Sequence, residues 1–200
     1  MAGLGAAGSG AGAGTYAVFR DAETSSGNTV RAGTLDLDIG SNDERALIGP
    51  DATSVEPEET GGRELLVSNE GSIPGELAFG IDDVRDLENG REKPELEAGD
   101  ETGGDPGRGA GELSSVLELR IAVRRDSDEP PVAHFVGGAD EFATVADVPV
   151  GEELGRVALP AGGDVVVETT YRLPTDASNR VRTDRVEVTA TFELTQTVSD

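Results

Sequence analysis

The 200-residue sequence has no cysteine and no tryptophan, one histidine and one lysine, Lys93. Each shortage removes a class of explanation. Without cysteine there is neither a disulfide framework nor a Cys-ligated metal site. With His134 as the only histidine, there is no HExxH pair to hold zinc on a helix. That residue stands in PPVAHFVGG, where a neighbour of Phe135 and Val136 is more often a strand or loop side chain than a ligand. No G-x-S-x-G elbow or P-loop occurs, and the glycines of GGDPGRGAG precede no apolar helix. The 40 acidic residues make a close carboxylate pair expected by chance, so no catalytic residue is assigned and no enzyme is expected.

Basic and aromatic residues are scarce as well. Sixteen basic residues stand against 40 acidic ones, a formal net charge of -24. A phosphate-rich partner would be repelled, which argues against nucleic acid and anionic membrane. A carboxylate-rich, lysine-poor surface of this kind keeps water and counter-cations bound in high salt, as in proteins of halophilic archaea. Aromatics make up 4% of the chain, so the core must come from Val, Leu, Ile and a few Phe. Met1 to Gly14 is too short and too weakly apolar to span a membrane.

What the chain does have is alternation. Leu35, Leu37 and Ile39 share one face of a run whose other face is Thr34, Asp36 and Asp38. The pattern returns in Glu64 to Ser68 and in Leu77, Phe79 and Ile81, with a Gly71 to Gly75 turn between them. It returns again in Leu117 to Val123, in Val165 to Leu173 and in Val186 to Leu194. Six such runs divided by Gly, Pro, Asp and Asn clusters predict an all-β fold, an antiparallel sandwich of two sheets. No helical period is convincing; Thr144 to Leu154 has room for a single short turn. Asn89 to Glu112 is Gly-rich and acidic with no apolar face, and reads as a long solvated loop. Ile48 to Gly62 reads as a shorter one.

The N-terminal region is organised differently. A Gly/Ala tract, MAGLGAAGSGAGAG, stops at Thr15, Tyr16 and Ala17, which places small residues where a signal peptidase cuts and makes Val18 the expected mature start. Residues 1–17 are then a leader, 18–33 a flexible arm and 34–200 the sandwich domain with its acidic loop 89–112. The arm carries one bulky apolar pair, Val18 and Phe19, followed by a polar, turn-prone run to Asn28, too little for a core of its own.

Two stretches carry a resemblance. F-x-D-x-E-T-x-x-x-N-x-x-x-A-G-T-L-D-L (Phe19 to Leu37) and N-x-G-S-x-P-G-x-L (Asn69 to Leu77), with the Tyr171 to Pro174 strand and the closing VEVTATFELTQT, resemble the TasA/camelysin family, including its haloarchaeal members. The resemblance implies a jelly-roll-like sandwich, cut by a SipW-type signal peptidase and secreted to the cell surface or biofilm matrix. There, like subunits polymerise into fibres or pili by donor-strand complementation. Val18, Phe19, Arg20, Asp21, Ala22, Glu23 and Thr24 would form the donor strand, Val18 and Phe19 being its anchors. Camelysin-type members are classed as metallopeptidases, for which this chain lacks the histidines. The alternative is a monomeric surface module with bound calcium and no other cofactor. Asp36, Asp38 and Asp43 in one cluster, and Asp100 and Asp105 in another, would be its ligands, although neither cluster has D-x-D-x-D-G spacing.

Overall fold

The computed structural model describes residues 60–88, 92–100, 111–127 and 129–196, with the backbone of three further strands. In chain order the strands are β1 (Arg20–Thr24), β2 (Leu37–Ile39), β3 (Thr60–Asn69), β4 (Gly75–Glu88), β5 (Gly107–Arg108) and β6 (Glu118–Arg124). They continue as β7 (Ala133–Val136), β8 (Ala143–Thr144), β9 (Glu153–Leu159), β10 (Asp164–Arg172) and β11 (Arg185–Gln196). Two antiparallel sheets result. One runs β1-β11-β4, with β9 and β5 sharing the far edge of β4; the other runs β2-β3-β10-β6, with β7 and β8 sharing the far edge of β6.

The eight principal strands, in chain order, are β1, β3, β4, β6, β7, β9, β10 and β11. The first sheet holds the first, eighth, third and sixth of these, and the second holds the second, seventh, fourth and fifth. That order is a jelly roll, two Greek keys folded over one core.

Burial follows the alternation read from the sequence. Leu77, Phe79 and Ile81 of β4, Leu119, Ile121 and Val123 of β6, and Val165 and Val167 of β10 enter one core cluster. Every second residue of β11 from Val186 to Leu194 joins them. On the outer face of the second sheet, Arg124 pairs with Glu168 at 2.6 Å and Arg172 with Glu118 at 2.5 Å.

Several regions go beyond the sequence reading: β3 starts at Thr60, inside the Ile48 to Gly62 stretch read as a loop, and β7 was not among the six runs. β9 was not among the alternating runs because Leu159 is its only buried residue; Gly155 and Arg156 interrupt its face. The Asn89 to Glu112 stretch is not a bare solvated loop, since it contains β5, paired to Leu87 and Glu88, and a short helix α1 (Lys93–Glu97). Pro94 sits in the first turn, where a missing N–H leaves no bond unmade, and the Glu92 N–H donates to Glu95 Oε2. Gly99, at φ 81°, ends the helix. Glu95 is fully buried, and its Oε1 accepts bonds from the Thr183 N–H (2.8 Å) and hydroxyl (2.7 Å), anchoring the segment to the turn before β11. Within the stretch read as an arm over 18–33, Arg20–Thr24 pairs with β11 of its own chain, the fold-back that is the alternative to a free arm. The short turn anticipated within Thr144 to Leu154 is a 3-10 turn at Val145–Asp147.

The N-x-G-S-x-P-G turn has a structural explanation in Asn69, a polar residue with no exposed surface. Its Nδ2 donates to the carbonyls of Ile73 (2.9 Å), Leu159 (3.3 Å) and Pro160 (3.2 Å), while Oδ1 accepts from the Gly71 N–H (3.0 Å). One side chain thus ties the β3–β4 turn to the β9–β10 turn. Asn69→Ala should strand these buried groups and destabilise the fold by about 2–3 kcal/mol. Urea unfolding followed by circular dichroism measures it; a loss below about 0.5 kcal/mol would mean that water replaces the amide.

Candidate functional site

Two places on the jelly roll have functional geometry. The first is the free edge of the first sheet. There β1 lies antiparallel on β11, Arg20 opposite Thr195 and Thr24 opposite Thr191. Among the described residues β1 pairs with no second strand. The register sets Asp21 across from Leu194 and Glu23 across from Phe192, two of the core-facing positions of β11. The segment RDAET contains no large apolar residue, and it joins that edge through an antiparallel backbone ladder. β11 is different: its alternate residues are core, so it stays in place whether or not β1 covers its edge.

The second place is the sandwich end where β4 finishes and β11 begins. Glu88, Glu112 and Asp184 each bring a carboxylate oxygen within 4.8 Å of the others. Glu88 is the last residue of β4, and Asp184 immediately precedes β11. Glu112 is delivered by the segment leading into a 3-10 turn at Leu113–Ser115, which Asp86 of β4 holds by accepting from the Ser114 N–H (2.8 Å) and hydroxyl. Gly111 is what lets this segment in. A Cβ there would stand 2.9 Å from the Leu87 carbonyl oxygen and 3.1 Å from the Asp184 carboxyl carbon. The approach is completed by the Glu112 N–H, which donates to Asp184 Oδ2 at 2.6 Å.

Electrostatics at this end are unfavourable for three negative charges. Burial pushes the Asp184 carboxyl up to about 7; the Glu112 N–H opposes the rise, and repulsion from Glu88, Glu112 and Glu95 adds to it. Glu112 is raised too, by burial first and then by repulsion from Asp100, with Arg180, 3.8 Å from Oε1, pulling the other way. Such a cluster is relieved by a proton or by a hard cation.

The anticipated site residues fall unevenly on this geometry. Thr15, Tyr16, Ala17, Val18 and Phe19 lie outside the described residues, as do Asp36, Asp43 and Asp105 of the two calcium clusters. Asp38 belongs to β2, opposite Ser68. Asp100 is buried just after α1, close enough to Glu112 to repel it. His134 is a strand residue on β7, opposite Ala122. On the outer face of β4, a depression of about 290 Å³ is lined by Asp82, Glu152, Glu153 and Glu193. Thr191 beside them donates to Asp82.

The Glu88, Glu112 and Asp184 grouping escaped the sequence reading because no local spacing announces it; Glu112 and Asp184 alone are 72 positions apart. The one available signal was Gly111 directly before an acidic residue and an apolar run. Comparison with protein-family models, with curated proteins and with solved structures finds no match to this chain.

Proposed function

We propose that the chain is a secreted structural subunit of extracellular fibres or biofilm matrix, without catalysis of its own. After cleavage by a SipW-type signal peptidase, the arm of one copy pairs with the next copy by donor-strand complementation. The observation that carries this reading is the attachment of β1: a five-residue strand, poor in apolar residues, on one edge of a sheet whose strands β11 and β4 are fixed by the core. The bonds made in the next copy would be the same as those made at home. Because donor and acceptor are different surfaces, the contact can propagate head to tail, and it gives an open filament where the rotation between copies does not close. Like copies are therefore the partners, outside the cell.

The cis pairing of β1 favours a second reading, a monomeric surface module whose first strand simply completes its own sheet. Electron microscopy in multimolar salt separates the two. A chain beginning at Val18 should form filaments and one beginning at Thr29 should stay monomeric. Monomers from both chains would remove self-assembly through the arm and leave the surface module standing.

A further inference from the structure

We propose that Glu88, Glu112 and Asp184 form a binding site for one calcium-class divalent cation, which staples the long 89–112 connection to the end of the sandwich. The site is distinct from the β1 edge and does not depend on assembly. Its geometry is that of a ligand set: two oxygens bound to one calcium ion at about 2.4 Å lie no more than about 4.8 Å apart, and the three carboxylates converge within that limit.

Convergence of acids alone would be weak support, because this surface is full of them. The second observation concerns hydrogen bonding. Asp184 is 1% exposed, yet only one of its oxygens is used: Oδ2 takes the Glu112 N–H, while Oδ1 is buried and has no hydrogen-bond partner. Glu112 Oε2 is likewise buried without a partner. A buried carboxylate oxygen left without a donor is costly, and native structures seldom keep one unless something else coordinates it. Two of them in one carboxylate cluster call for a positive ligand. Among the described residues, the side chains around Asp184 and Glu112 do not supply it. Arg180 touches only the outer oxygen of Glu112, at 3.8 Å, and Glu95 and Asp100 add negative charge nearby.

Calcium suits the site better than magnesium. Magnesium keeps several of its own waters in a strict octahedron, whereas calcium accepts carboxylates in irregular numbers and one or two at a time. Glu88 and Asp184, both almost fully buried, leave little room for a hydrated ion. The cation would join three segments: the end of β4, the residues entering the Leu113–Ser115 turn, and the start of β11. Everything between Glu88 and Glu112, including α1 and β5, is then held at both of its ends.

The test compares the intact chain with Asp184→Asn. Asparagine keeps an oxygen for the Glu112 N–H, and losing a charge relieves repulsion, so the variant should fold. Equilibrium dialysis with radioactive calcium in multimolar sodium chloride should give one saturable site more in the intact chain than in the variant. Melting followed by circular dichroism should rise by roughly 5–10 °C between chelator and calcium at a hundredfold its dissociation constant. The variant should melt at or above the intact chain in chelator and gain nothing from calcium. Glu88→Gln should behave in the same way. Equal calcium stoichiometry in the intact chain and both variants would overturn the proposal, and so would equal calcium-induced shifts. Either result would make the cluster a protonated carboxyl group and nothing more. Filament formation is not read in this experiment, so its outcome is independent of the donor-strand proposal.

Discussion

Replacing Phe79 by alanine is expected to remove about 3–5 kcal/mol of stability, the range for deleting a buried aromatic ring. In a chain with so few aromatics, this one position joins both sheets. Phe79 is 1% exposed at the middle of β4. Its ring stacks on Phe135 of the opposite sheet, with centroids 5.0 Å apart and 8° between planes. It also meets Phe192, its direct partner on β11, at 5.2 Å and 59°. The stack exists because the residue opposite Phe79 on β9 is Gly155, where a Cβ would come within 2.7 Å of the Phe135 ring. Alanine at 79 would therefore leave a void between the Phe135 and Phe192 rings, beside Gly155. Phe142 supplies the contrast. It lies on the outer side of the sheet under Arg172 and Arg120, whose guanidinium carbons stand 4.1 and 4.9 Å from its centroid. Phe142→Ala should cost only about 1–2 kcal/mol. Urea unfolding of both variants in high salt, read by circular dichroism because there is no tryptophan, checks the difference. Equal losses would mean that the three-ring cluster is not the centre of the core.

The same contrast marks what can be read from this sequence. A strand whose faces differ in polarity is legible, and the alternating faces of β4, β6, β10 and β11 all went to the core. β9 was not legible, because Gly155 is set by the ring of Phe135 on the opposite sheet, while Arg156 pairs with Glu153 of its own strand and with Glu76 on the neighbouring one. The helix α1 was legible in principle, since Pro94 and Gly99 bracket it at the positions that start and stop a helix. Its acidic composition hid it: Glu95 looks like a solvated charge until Thr183 is found beside it. The carboxylate cluster had no such bracket. Which three of 40 acidic residues meet is decided by strand order, and strand order is a property of the whole fold.

Under the proposed donor-strand exchange, joining β1 to β11 with a disulfide should switch assembly off completely, and reduction should restore it. The chain has no cysteine, so Ala22→Cys combined with Glu193→Cys introduces a single pair. The two positions are direct cross-strand partners, and opposed residues in an antiparallel ladder are separated by about 4.5 or 5.5 Å between Cα atoms, within the range a disulfide spans. Oxidised while dilute, the chain should close the bond within itself and hold β1 at home. Under donor-strand exchange such a chain can neither give its strand nor accept one, so it should remain monomeric where the reduced form makes filaments. Oxidised after assembly, the same pair should link each subunit to the next and give a ladder on a non-reducing gel. Both results follow from the proposed exchange, in which the trans arrangement uses the same pairs of residues as the cis one. An oxidised chain that still forms filaments with its internal bond intact would show that the polymer grows through another surface, and β1 would then be an ordinary first strand of a jelly roll.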